Sequence, residues 1–330
     1  MSNEYVPPPI PPEVQWSLPK PRLKFQHPWR RHILFFLATV VTTTTSGWLP
    51  DVFFGALGGV FSNPVPSVVA WVFTVGVVNL TSWAVIKQGL WYSIPALTIL
   101  GAHEFGHYGY CRKYNVDATL PYFLPAPVLT GTLGAVIRIK EPFPSKKALF
   151  DIGIAGPIAG FLMLLPFLYF GIAWSQLVPK ATANGIPLGE PLLLKAMSWW
   201  HFGKLGPETE VVLHPMAFAA WFGTIATALN LLPFGQLDGG HIAYAALGKR
   251  SAWASIGTLA VVIALAFVTP SWVLWAVVLT AMAYLVGFSH PRIYDEHEPL
   301  DGKRIAVAVF ALLMLIVCFT PFPIQAFWGG

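Results

Sequence analysis

Charged residues are scarce in this chain of 330 residues, and their scarcity indicates its class. Asp, Glu, Lys and Arg together make up 11% of the sequence, whereas soluble proteins carry about 25%. Hydrophobic residues make up 55%, and the mean hydropathy is +0.61. This composition argues against a soluble globular protein, and we interpret the chain as an integral membrane protein.

Cysteine is nearly absent as well. Cys111 and Cys318 lie in or beside apolar segments, so no disulfide framework is predicted. Residues 1–32 lack the apolar run of a signal peptide; they are rich in proline, and we interpret them as a disordered cytoplasmic tail. The net charge of +5 is explained by basic cytoplasmic loops, so no nucleic-acid partner is predicted.

Long apolar segments dominate the rest of the chain. A bilayer is crossed by about 17–25 helical residues, and continuous apolarity favours helices over a barrel. We therefore predict an all-α polytopic membrane protein with about seven or eight transmembrane helices. The candidate segments are 33–49, 67–86, 88–112, 150–174, 213–233, 252–268, 272–289 and 305–321. The predicted division is a tail (1–32), N-terminal membrane segments (33–87), a transmembrane core (88–248) that contains the polar motifs described below, and C-terminal transmembrane helices (249–330).

Basic residues cluster in three loops, 112–147, 249–250 and 292–304. The positive-inside rule places all three on the cytoplasmic side. With a cytoplasmic tail, an odd number of crossings must precede residue 88, whereas two segments, 33–49 and 67–86, are candidates. The sequence leaves open which of the two crosses the membrane.

A segment punctuated by proline and glycine, 119–144, follows the predicted 88–112 helix. It ends in the strand-like "AVIRIK", and we predict a small membrane-associated β-hairpin there. Such a hairpin can bind an extended peptide by strand addition. The alternative is an ordinary cytoplasmic loop that touches the membrane surface.

Three carboxylates fall in or beside the predicted spans: Glu104, Asp151 and Asp238. A charge inside the membrane is costly and is a functional-site hypothesis by default. Asp151 stands where a span begins after a basic loop, so we interpret it as a helix N-cap.

His103, Glu104 and His107 form the motif H-E-x-x-H. On a helix this spacing puts both imidazoles on one face, which suits two ligands of a zinc ion, and Glu104 beside them can reach a water at the metal. A chance match is disfavoured because three polar groups at membrane depth need a compensating partner. Asp238 is the candidate third ligand, because Pro233 and the nearby glycines break the preceding helix just before it.

The sequence "HEFGH" together with "NLLPFGQLDGGH" (230–241) resembles the site-2 protease family of intramembrane zinc metalloproteases, in its bacterial and plastid branch without a PDZ insertion. The likeness covers about residues 88–304. It implies Zn²⁺ held by His103, His107 and Asp238, with Glu104 as general base and acid. It also implies that Asn230 holds substrate near the metal, while His241 either supports a ligand or contacts substrate. The outer loop 175–212 is too short for the peptide-binding domain of some relatives, and "PLLLKAMSWWHFG" within it suits an interfacial helix.

The resemblance implies an intramembrane protease that cuts within or near transmembrane segments of membrane-anchored proteins. Its expected partners are those substrates and the lipid bilayer, and its expected location is the bacterial cytoplasmic (inner) membrane, as a multi-pass protein. Three alternatives remain: a membrane metalloprotease for modified C-terminal peptides, a metal-binding membrane transporter, and a catalytically silent scaffold. Glu104 disfavours the scaffold, since metal binding alone does not need it.

Overall fold

A computed structural model describes residues 23–46, 83–126, 130–180, 188–288, 293, 295 and 299–324. The described chain is mostly helical, with two small antiparallel strand pairs. Most of the predicted 67–86 segment and residues 1–22 of the predicted tail lie outside the described residues.

The other apolar segments are helical, as predicted. The helices are α1 Trp29–Ser46, α2 Trp83–Lys113, α3 Lys146–Ala173, α4 Leu192–Phe202, α5 Pro215–Asn230, α6 Asp238–Leu247, α7 Ser251–Val268, α8 Val273–Val286 and α9 Gly302–Cys318. The strands are β1 Tyr122–Pro125, β2 Thr132–Val136, β3 Gln176–Pro179 and β4 Thr209–Val212.

The N-terminal helix α1 starts earlier than expected. It begins at Trp29, so the predicted tail boundary at residue 32 differs from the structure. The residues just before it contact the end of α2: Lys24 Nζ donates to the Asn115 carbonyl over 2.7 Å and to Glu141 Oε2 over 2.8 Å. The hydrogen bond from Lys24 lowers the pKa of Glu141. Residues 23–32, which the sequence analysis includes in the tail, therefore contact the rest of the protein.

Helices α2 and α3 pack closely because small residues line their crossing. A Cβ added to Gly106 of α2 would lie 2.5 Å from the Ala155 carbonyl oxygen of α3, far inside van der Waals contact. Helix α5 packs against both, and buried aromatic and aliphatic side chains, among them Tyr92, Phe150 and Leu164, fill the space between the helices. This three-helix core is the scaffold for the polar groups at its centre.

The predicted hairpin is present. Strands β1 and β2 pair antiparallel, with Tyr122 opposite Val136 and Phe123 opposite Ala135. Strand β1 lies against α1, where Phe123 packs on Phe36 with ring centroids 5.2 Å apart. Tyr92 of α2 donates a hydrogen bond of 3.0 Å to the carbonyl of Thr130 at the hairpin tip. The hairpin is therefore held on both sides by helices.

A second pair, β3 with β4, was not predicted. It joins the end of α3 to the start of α5, with Gln176 opposite Val212 and Pro179 opposite Thr209. Helix α4, which is formed by all but the first and last residues of the predicted interfacial sequence, lies between the two strands in the chain. The strands are four residues each, too short for their alternation to be recognised in sequence.

The interpretation of Asp151 as a helix N-cap is wrong. Helix α3 is capped by Ser145, whose hydroxyl accepts from the Ala148 N–H over 3.2 Å. Asp151 lies inside the helix, where its carboxylate pairs with Arg304 of α9. A serine directly before the helical run is a good cap in its own right, and the charge of Asp151 is compensated from a distant part of the chain.

Two helical runs in the described chain are long and apolar enough to cross a membrane: Lys146–Ala173 and the continuous run Asp238–Val268. Pro270–Val286 is apolar but shorter. Helix α5 has 16 residues, about 24 Å at 1.5 Å per residue, against about 30 Å of hydrocarbon. The number of seven or eight spans therefore stays a prediction.

Candidate active site

Helix α2 presents His103 and His107 one turn apart on a single buried face. The exposed fraction of each side chain is small, with relative accessibilities of 7% for both residues, and Glu104 between them is 8% exposed. The two rings stand edge to face, with centroids 4.8 Å apart and the Nε2 atoms 3.0 Å apart. Both imidazoles thus direct the same ring nitrogen to one point.

Asp238 completes the cluster from the other side. Helix α5 ends at Asn230 and α6 begins at Asp238, so the predicted break is present. Gly235, at φ 50°, turns the connecting loop back. Asp238 Oδ2 lies 3.1 Å from His103 Nε2, and Oδ1 lies 3.3 Å from His107 Nε2. The N-terminal end of α6 favours this negative charge.

These spacings fit a metal ion. In a tetrahedral zinc site with ligand bonds of 2.0–2.1 Å, any two ligand atoms lie about 3.3 Å apart. The Nε2 atoms of His103 and His107 lie 3.0 Å apart, and the two oxygens of Asp238 lie 3.1 Å from His103 Nε2 and 3.3 Å from His107 Nε2, one oxygen at each ring. Two imidazole nitrogens and one carboxylate oxygen are a donor set that zinc accepts, with one position left for water or substrate. The residues present therefore fit the group that the motif predicts.

A backbone carbonyl determines the tautomer of the neutral His107 ring. Its Nδ1 lies 2.7 Å from the Ile152 carbonyl oxygen of α3. Because a carbonyl only accepts, Nδ1 must carry the hydrogen, which leaves a lone pair on Nε2 in the neutral ring. That lone pair faces Asp238 and His103, where it needs a donor or a cation. Metal-binding histidines commonly have such a partner on their other nitrogen.

Three glycines of α3 make room for the rings. A Cβ on Gly156 would overlap the His107 ring, and one on Gly160 would lie 3.1 Å from His103 Cβ. Gly156 and Gly160 have the small-xxx-small spacing that is typical of closely packed membrane helices. A Cβ on Gly153, which lies on the same face, would be 3.0 Å from His241 Cβ. One side of α3 is therefore a smooth surface for both α2 and α6.

The hairpin reaches the site through Glu104. Glu104 Oε2 accepts a hydrogen bond of 2.8 Å from the backbone N–H of Ile137, one residue beyond β2. The other oxygen, Oε1, accepts no hydrogen bond from the residues that the structure describes. The Ile137 N–H thus holds one oxygen of the carboxylate in place.

Asn230, the last residue of α5, also lies at the site. Its amide nitrogen is 3.4 Å from His103 Nε2. His241, one turn into α6, packs against the Phe143 ring with centroids 5.7 Å apart and against Gly153. His214 instead caps α5, where its Nδ1 accepts from the Met216 N–H. Asn230 therefore borders the cluster, whereas His214 belongs to a helix end.

Comparison with known proteins agrees with this arrangement. Residues 91–270 match the model of peptidase family M50, which is more than half of the 330 residues. The chain belongs to this family. The matched range contains the two histidines, Glu104, Asn230 and Asp238, so the complete cluster of this M50 peptidase-family chain lies inside it.

Three relatives of this M50 member are plant proteins. "Probable zinc metalloprotease EGY2, chloroplastic" of Arabidopsis thaliana is 25% identical over 297 residues, which is 88% of this chain and 51% of the relative. "Probable zinc metalloprotease EGY1, chloroplastic" of Oryza sativa subsp. japonica is 33% identical over 170 residues, 50% of this chain and 29% of the relative. "Probable zinc metalloprotease EGY3, chloroplastic" of Oryza sativa subsp. indica is 29% identical over 253 residues, which is 69% of this chain and 41% of the relative.

This M50 chain spans about half the length, or less, of these curated relatives. The names of these relatives, which are chloroplastic, are consistent with the predicted bacterial and plastid branch of the family. The predicted bacterial cytoplasmic membrane gains no support from them.

Sequence reasoning missed three groups at the site of this M50 chain: Gly153, the Ile152 carbonyl and the Ile137 N–H. Gly153 was detectable, since it extends the glycine spacing of 156 and 160 by three residues along one helix face. The two backbone groups carry no sequence signal, because any residue at those positions supplies them.

Proposed function

We propose that this protein is an intramembrane zinc metalloprotease that hydrolyses peptide bonds within or near transmembrane segments of membrane-anchored proteins. The observation that carries the proposal is the buried triangle of His103, His107 and Asp238, with ligand spacing suited to zinc and Glu104 beside it. Membership in peptidase family M50 and the zinc metalloprotease names of the relatives support it. We assign the chemistry to the proposed core, 88–248, which contains all five residues.

Each residue has a distinct role in the proposal. His103, His107 and Asp238 would hold Zn²⁺, which when bound supplies a Lewis acid and lowers the pKa of water. Glu104 accepts a proton from the attacking water and passes it to the leaving amine. The Asn230 amide donates to the carbonyl oxygen of the substrate as negative charge develops there.

An extended substrate would bind beside the hairpin. A transmembrane helix conceals its backbone, so cleavage requires local unwinding and replacement hydrogen bonds. Strand β1 is covered by α1, whereas Leu133 of β2 is 66% exposed and a Cβ on Gly134 would meet nothing within 4 Å. The open side of β2 therefore suits strand addition. A cysteine at position 133 should cross-link to bound substrate; cross-linking from the α1 side alone would contradict this placement.

We place the protein in the bilayer as a multi-pass protein with N-terminal segments in 33–87 and C-terminal helices in 249–330. The two long apolar runs support membrane insertion. Helix α4 supports an interface at the outer end, because Trp199 and Trp200 are 67% and 69% exposed and Trp200 packs on Tyr169 near the end of α3. Tryptophan and tyrosine favour the headgroup region. The lipid bilayer and membrane-anchored proteins are therefore the proposed partners.

Metal removal tests the function directly. Purified protein in detergent should cleave a single-span substrate only while zinc is present, because the remaining groups supply no equivalent Lewis acid. We expect a chelator to abolish cleavage and added zinc to restore it, with zinc and product both quantified.

The same preparation separates the alternatives. In proteoliposomes, zinc flux without proteolysis would identify a transporter. Stoichiometric zinc without either activity, over a panel of membrane-anchored substrates, would indicate a silent scaffold.

A further inference from the structure

Arg304, in the first turn of α9, forms a two-point ion pair with Asp151 of α3. Its Nε donates to Oδ1 over 2.8 Å and its Nη2 donates to Oδ2 over 2.6 Å. Both side chains are largely buried, at 23% and 13% exposed. Asp301, the N-cap of α9, binds Nη1 of the same guanidinium. Bidentate pairs of this kind fix orientation as well as charge.

Tyr114, one residue past the end of α2, completes the network. Its hydroxyl donates to Asp151 Oδ2 over 2.5 Å and accepts from Arg304 Nη2 over 3.3 Å. Burial raises the pKa of the Tyr114 phenol, and the hydrogen bond to Asp151 raises it further, so the phenol is a donor at neutral pH. Helices α2, α3 and α9 are thereby joined at Asp151.

This network adjoins the candidate metal site through the chain of α3. Asp151 immediately precedes Ile152, whose carbonyl accepts the Nδ1 hydrogen of His107. Tyr114 and His107 are seven residues apart, which places them on one face of an extended helical path. Each binds one of two consecutive residues of α3. A one-residue axial shift of α3, about 1.5 Å, would take the Ile152 carbonyl out of good hydrogen-bond geometry.

We propose that Arg304 is a positioning residue for the metal site: together with Tyr114 it fixes Asp151, and so the register of α3 against α2 that orients the His107 ring. The inference rests on the proposed function, because it takes His107 as a ligand. Arg304 lies outside residues 91–270, which match the family model. In this proposal the role of Asp151 is to bind Arg304 of α9, and it does not act on substrate.

The test measures metal binding by the purified full-length chain. Tyr114→Phe, Arg304→Gln and their combination are titrated with Zn²⁺ and Co²⁺ against a competing chelator, and the visible spectrum of the cobalt form is recorded. Each single substitution should weaken binding about tenfold and change the cobalt spectrum. The loss of metal affinity in the double variant should be smaller than the product of the two single fold losses, since both residues act through Asp151. Lys303→Gln removes an exposed charge on the same turn and should leave binding unchanged.

Conservative replacement gives a further readout. Arg304→Lys keeps the charge but cannot bind both carboxylate oxygens in the same plane, so it should retain part of the affinity. Unchanged affinity and cobalt spectra in Tyr114→Phe and Arg304→Gln would overturn the inference, even where their thermal stability falls. A wild-type chain that binds neither ion would refute the proposed function itself, a different failure.

Discussion

Replacement of Glu104 by glutamine should slow proteolysis by about 10²–10⁴-fold and leave the metal in place. Glutamine has the same shape, and its carbonyl oxygen can still accept from the Ile137 N–H, 2.8 Å from Glu104 Oε2. It cannot take a proton from water, and general acid–base catalysis contributes about 10²–10⁴-fold. We therefore expect a loss of activity in that range with zinc content near that of wild type.

The measurement is the initial rate of cleavage of a single-span substrate, with zinc quantified in the same sample. Glu208→Gln is the matched control, because Glu208 is exposed on a loop before β4, and it should cleave at the wild-type rate. Equal rates for Glu104→Gln and wild type would remove Glu104 from the mechanism. Loss of both zinc and activity would show that Glu104 helps to hold the metal instead.

Replacement of Asp238 by asparagine should remove the metal itself. The side chain keeps its size, but the two contacts of 3.1 and 3.3 Å to the histidines lose their negative charge and a preferred zinc ligand. Groups that only support a ligand are worth about 10–100-fold in metal affinity. Loss of a ligand should exceed that range, and activity should fall with occupancy.

Zinc titration against a chelator checks this expectation, with Glu190→Gln as an exposed carboxylate control. Excess zinc should restore part of the activity of Asp238→Asn if weak binding is its only defect. Wild-type affinity in Asp238→Asn would exclude Asp238 as a ligand and leave the two histidines without their predicted partner.

Much of the candidate site could be predicted because its parts are local motifs. The H-E-x-x-H spacing places two rings on one face of any helix, and the proline and glycines of 233–240 end α5 where a carboxylate follows. The small-xxx-small spacing of Gly156 and Gly160 is likewise a local pattern, and it is typical of close helix packing such as that of α3 against α2. These features depend on neighbours within a few residues, so the sequence carries them directly.

What could not be predicted depends on distant contacts. The pairing of Asp151 with Arg304 joins residues that are 153 apart in the chain, and no local pattern marks either as a partner. Asp151 was therefore misread as a cap. The anchoring of Glu104 by the Ile137 N–H requires the hairpin to fold back onto α2, and backbone groups leave no trace in side-chain identity. The four-residue strands β3 and β4 are stabilised by each other rather than by their own periodicity.

Helix α3 links these two kinds of feature. Its glycine face makes room for the His103 and His107 rings, its Ile152 carbonyl lies at hydrogen-bond distance from one of them, and its Asp151 pairs with Arg304 of α9. Substitutions on this helix should therefore affect metal affinity without contact with substrate. Helix α3 carries no proposed catalytic residue, and in this account it positions the helices that do carry them.

The central claim is that two imidazoles from α2 and one carboxylate from α6 hold a single zinc ion. X-ray absorption at the zinc edge of the purified wild-type chain tests it most directly. The account predicts one zinc per chain, a first shell of nitrogen and oxygen at about 2.0–2.1 Å with scattering from two imidazoles, and loss of this signal in Asp238→Asn. A sulfur shell, a single imidazole, or an unchanged spectrum in Asp238→Asn would contradict it.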